Sequence, residues 1–125
     1  MSPSRSVMTI VGSSALLLLA GAVSASAHAS LVRAEPAANG NIDKAPSEVT
    51  LHFSERLESA FSSVVVRDAA GKQVDKGNGA VDKKDRRVIR VSVPELAPGV
   101  YKVEWRAVSA DTHRINGDFT FKIGE

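Results

Sequence analysis

GVYKVEWRAVSADTHRINGDFTFKI, residues 99–123, contains the clearest strand pattern in this chain of 125 residues. Across residues 100–107, Tyr, Val, Trp and Ala at odd positions alternate with Val, Lys, Glu and Arg at even positions. Strict alternation of this kind predicts a strand with one buried face, and Tyr101 and Trp105 are interpreted as core residues. Asn116-Gly117 predicts a tight turn before a second alternating strand that carries Phe119 and Phe121.

Further strands are predicted on the N-terminal side of this stretch. EVTLHFSE at 48–55 and RVIRVSV at 87–93 alternate, SSVVVRD at 62–68 is β-branched, and ASLVRAEP at 29–36 resembles a shorter strand. RLESAFSSV at 56–64 predicts one helical turn at most, and the charged stretch at 77–88 predicts a solvated connection. About seven short strands separated by Gly/Pro turns predict an all-β sandwich or barrel.

The first 27 residues have the features of a secretory signal peptide. Arg5 precedes the apolar run IVGSSALLLLAGAV, and Ala25-Ser26-Ala27 follows it as an A-x-A cleavage site. We expect residues 1–27 to be removed and residues 28–125 to form one exported domain of 98 residues; an uncleaved membrane anchor is the alternative. Removing Arg5 leaves a formal charge of +1, which gives no reason to expect nucleic acid as a partner.

The ligand chemistry of the exported domain is restricted to nitrogen and oxygen. The chain has no cysteine, and both methionines, Met1 and Met8, lie in the predicted signal peptide. Cleavage after Ala27 makes His28 the first residue, so its α-amine and its imidazole can chelate one metal ion together. Asp111 and His113 are two residues apart, so in extended backbone they point to the same side. Three nitrogens and one oxygen suit a tetragonal Cu(II) ion, and the lack of sulfur argues against Cu(I).

HASLVRAEPAANG, VTLHFSERLE and residues 99–123 together resemble the CopC family of periplasmic copper-resistance proteins. The resemblance implies a Greek-key β-barrel or sandwich of immunoglobulin-like (cupredoxin-like) type that binds one Cu(II) ion. It implies that His28, Asp111 and His113 are metal ligands, with Glu55 as an outer or axial group. Family members often have proline after the D-x-H histidine, where this chain has Arg114, and some have a Met-rich Cu(I) site that this chain lacks.

The resemblance also sets expectations about role and partners. We expect a periplasmic or secreted copper-binding protein for copper resistance, homeostasis or delivery, which is not an enzyme. The expected partners are the copper ion and a CopD-type membrane copper transporter or another periplasmic copper protein, and the protein is expected to be a monomer.

Two other functions remain open. A terminal histidine that chelates copper is also the histidine brace of copper monooxygenases, but one Trp and one Tyr give little material for their broad aromatic binding face. A metal-free immunoglobulin-like interaction domain explains the strands but not the histidines. His52 is interpreted as a surface or outer-shell residue, although a ligand role is open.

Overall fold

The computed structural model describes residues 29–124, which form a sandwich of two four-stranded sheets. The strands are β1 (Leu31–Glu35), β2 (Asn41–Ile42), β3 (Glu48–Phe53), β4 (Ser63–Arg67), β5 (Ala80–Val81), β6 (Val88–Ser92), β7 (Gly99–Val108) and β8 (Arg114–Ile123). Within the described residues, the single helical element is a 3₁₀ turn at Ser59–Phe61, in the region where the sequence predicts one turn at most. The prediction of an all-β sandwich is confirmed, with two very short strands in addition to the predicted ones.

The first sheet has the order β1-β3-β6-β5, and the second has the order β2-β8-β7-β4. All neighbouring strands are antiparallel except β2 and β8, which are parallel. The chain passes between sheets after β1, β2, β3, β4 and β6, which fits a Greek-key sandwich. The ten-residue strands β7 and β8 pair along their whole length, so residue 99 lies opposite 123 and residue 108 lies opposite 114.

The core lies between the two sheets and follows the predicted alternation. Val49, Leu51 and Phe53 of β3 are at most 3% exposed. In β7, Tyr101, Val103 and Ala107 are buried, and Trp105 is partly buried with its ring edge-on to Phe53 at a centroid distance of 5.1 Å. Burial of these apolar side chains supplies the main driving force for folding.

The predicted turn at Asn116-Gly117 is wrong, because both residues lie inside β8. Gly117 is opposite Trp105 in the register, and a Cβ at residue 117 would approach the Trp105 ring to within 2.5 Å. Glycine is needed here for the close approach of the indole ring rather than for a turn. The actual connection between β7 and β8 is residues 109–113, which contains the D-x-H sequence.

Candidate metal site

The loop 109–113 is held in shape by hydrogen bonds among its own residues. The backbone N–H of Ser109 donates to the His113 carbonyl at 2.9 Å, and that of Thr112 donates to the Ser109 carbonyl at 2.8 Å. Thr112 has a φ of 72°, in the left-handed region that β-branched residues rarely adopt. Unfavourable backbone of this kind persists only where surrounding contacts enforce it, and it is often found at functional sites.

This loop brings the side chains of Asp111 and His113 into contact. Oδ2 of Asp111 lies 2.9 Å from Nδ1 of His113, while Oδ1 of Asp111 accepts a hydrogen bond from the Ser109 hydroxyl. Asp111 and His113 are exposed, whereas Ser109 is 1% exposed. The carboxylate is therefore fixed from below by a buried hydroxyl and presents its other oxygen to an imidazole at the surface.

The same contacts make Asp111 a stronger acid. The hydrogen bond from Ser109 is the largest effect and lowers the pKa of Asp111 below its ordinary value. Desolvation is the next largest effect and opposes it, while the hydrogen bonds and charge of His113 add to the lowering. Asp111 is thus ionised at neutral pH, the state in which a carboxylate binds metal. When Nδ1 of His113 carries the ring proton and donates it to Asp111, Nε2 is unprotonated. This tautomer is the one that allows the ring to bind a metal through Nε2.

Residues 54–58 connect this loop to the first described residues of the chain. The N–H groups of Ser30 and Ser54 donate respectively to the Ser54 hydroxyl and to the Ser30 carbonyl, both at 2.9 Å. Two residues further on, the Arg56 carbonyl accepts a hydrogen bond of 2.9 Å from Ala110. The N-terminal end of the described chain and the D-x-H loop therefore border the same segment at one end of the sandwich.

Further contacts join the segment 54–58 to the D-x-H loop, and the first described residue is buried. Leu57 forms a β-bridge with Ser109, and the N–H of Glu58 donates to the Val108 carbonyl at 2.7 Å. Ala29 is 3% exposed and belongs to the hydrophobic core. The chain is consequently anchored up to the residue that follows His28.

The predicted site residues have different outcomes. Asp111 and His113 are in contact, but the backbone that joins them is a turn with Thr112 at a φ of 72° and not the extended segment expected from the sequence. His28 lies outside the described residues. Glu55 is half-buried in the segment that borders both Ser30 and the loop, but residues 29–124 contain no group of three or more His, Cys, Asp and Glu side chains that could hold a metal ion. The described part of the chain thus supplies two adjacent candidate ligands, Asp111 and His113.

His52 lies in a different environment, on the outer face of the first sheet. Its Nε2 is 3.3 Å from Oε1 of Glu35 and 3.2 Å from Nη2 of Arg33, both on the neighbouring strand β1. This position agrees with the interpretation of His52 as a surface residue.

Sequence reasoning assigned no role to Ser109, although it makes the most buried polar contact to the candidate ligands. The sequence feature that could have indicated this contact is the position of Ser109 two residues before Asp111. Ser and Asp side chains often form local hydrogen bonds at this spacing in turns. Arg114, which occupies the position where family members often have proline, begins β8 and is exposed next to His113.

A two-sheet sandwich with an ionised carboxylate and an imidazole on one connecting loop has the features of a small metal-binding β-domain. Residues 31–124 match the model of the CopC domain. The chain belongs to the CopC domain family.

Several of the relatives that match this chain have names that refer to copper. The chain is 37% identical over 105 residues to Copper resistance protein C of Pseudomonas syringae pv. tomato, and the match covers 79% of the chain and 82% of the relative. It is 34% identical over 100 residues to the Copper transport protein CutJ of Bacillus subtilis. That second match covers 79% of the chain but only 18% of CutJ, which is a much longer protein.

Solved structures share the fold at similar identity. CopC of Methylosinus trichosporium OB3b superimposes with a TM-score of 0.69 and 34% identity, covering 78% of this chain and 94% of that one. PcoC, a methionine-rich copper resistance protein from Escherichia coli, gives a TM-score of 0.67 and 33% identity, covering 76% and 97%. Within residues 29–124, no helix is both long enough and apolar enough to cross a membrane.

Proposed function

We propose that this protein is exported and carries one Cu(II) ion as cargo, held by the amine and imidazole of His28 after signal cleavage together with Asp111 and His113. The observation that carries the proposal is the contact between Asp111 and His113 on a loop that borders the anchored N-terminal segment. The names of the relatives, which refer to copper resistance and copper transport, support copper as the metal.

The residues that follow His28 are fixed at the same end of the sandwich as the D-x-H loop. Ala29 is buried in the hydrophobic core. Ser30 is bound to Ser54, and residues 56 and 57 contact residues 110 and 109. This arrangement supports a site in which the new N-terminus and the D-x-H loop supply ligands to one ion, with Glu55 in an outer or axial position.

The donor set fits Cu(II) better than the alternatives. Amine and imidazole nitrogens with one carboxylate oxygen suit tetragonal Cu(II), whereas Ca²⁺ and Mg²⁺ prefer oxygen ligands. The exported domain has no thiol or thioether to favour Cu(I). A carrier role is favoured over a monooxygenase because Tyr101 is buried and Trp105 is partly buried with its ring edge-on to Phe53, which leaves little material for a broad aromatic binding face.

Native mass spectrometry of the exported protein with added Cu(II) tests the proposal. It reports the N-terminal residue and the metal stoichiometry in one measurement. The proposal expects a chain that begins at His28 and carries one Cu(II) ion. A chain that retains residues 1–27, or one that binds no copper at micromolar concentration, would contradict it.

A further inference from the structure

A groove of about 840 Å³ lies on the outer face of the second sheet, directly beside the D-x-H loop. Its floor is formed by outward-facing residues of β4, β7 and β8, which include Val65 and Arg106. Phe61 of the 3₁₀ turn lines one side and is 63% exposed, which is unusual for a large aromatic side chain. Arg114, the residue that follows His113, lines the end of the groove that is nearest to the D-x-H loop.

The two arginines at this end of the groove have no partner among residues 29–124. Arg106 lies opposite Asn116 and Arg114 lies opposite Val108, so the two guanidinium groups are diagonal neighbours on one face of the sheet. Both side chains are exposed, and neither makes an ion pair or a hydrogen bond within the described chain. They form a local concentration of positive charge with unused hydrogen-bond donors.

The opposite end of the groove is lined by two carboxylates, those of Glu104 and Asp118. Glu104 is opposite Asp118 in the register and is paired with Nε of Arg67. A continuous phosphate backbone would meet these two carboxylates, whereas a short segment with carboxylates at one end only would avoid them. The groove thus favours a protein segment that places carboxylates at Arg106 and Arg114 and an apolar side chain against Phe61.

We propose that the groove between Phe61, Arg106 and Arg114 is a docking site for an acidic segment of a partner protein. Charge complementarity to two unpaired guanidinium groups identifies the occupant as acidic, and the exposed Phe61 ring gives it an apolar contact. A partner docked here lies next to His113. The docking site does not require copper to be bound, but its use in copper transfer rests on the proposed function.

The test is a titration of the exported ¹⁵N-labelled protein with the peptide acetyl-Glu-Asp-Leu-Ser-Ser-amide, which has carboxylates at one end only, followed by NMR. The matched control peptide is acetyl-Gln-Asn-Leu-Ser-Ser-amide, and a short oligothymidylate replaces the peptide in a third arm. We expect the acidic peptide to shift the amide signals of residues 61, 106 and 114 saturably. We expect Arg106→Gln and Arg114→Gln each to weaken its binding by about three- to fivefold, as is typical for exposed charged contacts.

Lys102→Gln is the matched protein control, because it removes one positive charge from the same face of β7 outside the groove. It is expected to leave the affinity nearly unchanged. Equal binding of the two peptides, no shift at residues 61, 106 and 114, equal weakening by Lys102→Gln, or tighter binding of the oligonucleotide would each overturn the proposal.

Cu(II) titration of the Arg106→Gln variant separates this proposal from the copper proposal. Arg106 is not a candidate ligand, so the variant should bind Cu(II) like the wild type while it loses peptide affinity. In the wild type, binding of the acidic peptide without binding of copper would contradict the copper site and leave the docking site standing. Binding of copper by the wild type without binding of the peptide would contradict the docking site and leave the copper site standing.

Discussion

The buried hydroxyl of Ser109 donates a hydrogen bond to the carboxylate of Asp111, whose second oxygen is 2.9 Å from the His113 ring. One inaccessible side chain therefore orients both described candidate ligands through a single carboxylate. Groups in this position commonly orient metal ligands and fix the tautomer of a ligating histidine.

Ser109→Ala is expected to raise the pKa of Asp111, because the hydrogen bond from Ser109 is the largest cause of its lowered value. Side-chain ¹³C NMR as a function of pH measures this directly. The same variant should weaken Cu(II) binding by about 10- to 100-fold, as is typical for loss of an orienting partner. An unchanged Asp111 pKa together with unchanged Cu(II) affinity would show that the hydroxyl does not position the carboxylate.

The lowered pKa of Asp111 also predicts a direction for the stability of the apoprotein. A carboxyl group with a lower pKa in the folded state contributes stability above its unfolded-state pKa and loses it as the pH falls through the folded-state value. Without the Ser109 hydroxyl this contribution is smaller, so the wild type should lose more stability than Ser109→Ala as the pH falls through the folded-state pKa of Asp111. Urea unfolding at a series of acidic pH values measures the free energy of unfolding of both proteins, and the advantage of the wild type should become smaller as the pH falls. An advantage that grows on acidification would contradict a lowered pKa for Asp111.

Asp111→Ala and His113→Ala are each expected to weaken Cu(II) binding by at least about 10- to 100-fold without unfolding the domain, because both side chains are exposed. Glu55→Ala should have a smaller effect. His52→Ala is the matched histidine control and should leave binding almost unchanged, since His52 contacts Glu35 and Arg33 instead. Competition with a Cu(II) chelator measures all four, and loss of binding in His52→Ala but not in His113→Ala would make the site assignment wrong.

The exported protein is expected to have no high-affinity Cu(I) site. Soft sulfur ligands favour Cu(I), and residues 28–125 contain neither cysteine nor methionine. Titration against a Cu(I)-selective chelator under anaerobic conditions is the measurement. Transfer of all Cu(I) to the chelator is the expected result, and tight retention by the protein would contradict it.

Gly117→Ala is expected to destabilise the fold by about 1–3 kcal/mol, the usual cost of overpacking a core. The added Cβ would lie 2.5 Å from the Trp105 ring, so the ring must shift from its present edge-on packing against Phe53. Trp105 is the only tryptophan, so its fluorescence reports the displacement and its thermal unfolding reports the stability. An unchanged emission spectrum and melting temperature would show that the close approach does not constrain residue 117.

The strands and the buried face of each strand could be predicted because alternation of apolar and polar residues follows directly from the two-residue repeat of β-structure. The match is clear in β3 and β7, where Leu51, Phe53 and Val103, apolar residues of the alternating stretches, are buried. The turn at Asn116-Gly117 was predicted wrongly because a local turn preference could not reveal the Trp105 ring packed across the sheet.

The candidate site was predictable only in part. Asp111 and His113 are only two residues apart, so their nearness could be predicted from the sequence. The backbone could not, because the contact forms across a turn with Thr112 at positive φ and not in the extended segment that was assumed. The role of Ser109 depends on its burial beneath the loop, and the proximity of residues 30 and 110 depends on their shared neighbour, the segment 54–57. The groove at Arg106 and Arg114 likewise depends on the pairing of β7 with β8. Such relations are set by tertiary packing and have no periodicity in the chain.

The central claim is that signal cleavage creates a copper ligand. Before cleavage the nitrogen of His28 is a peptide amide, whose lone pair is delocalised into the Ala27 carbonyl. After cleavage it is a basic amine on the same residue as an imidazole, so binding at one nitrogen places the other close to the metal. Linking two donors in this way commonly increases affinity by about 10²- to 10⁴-fold.

The most direct test compares the 98-residue form that begins at His28 with a form that carries one additional N-terminal residue. Cu(II) competition and electron paramagnetic resonance are measured on both forms. The account predicts that the extended form binds Cu(II) at least about 100-fold more weakly and gives a different spectrum, because the amine nitrogen has been lost as a ligand. Equal affinities and identical spectra would contradict the account.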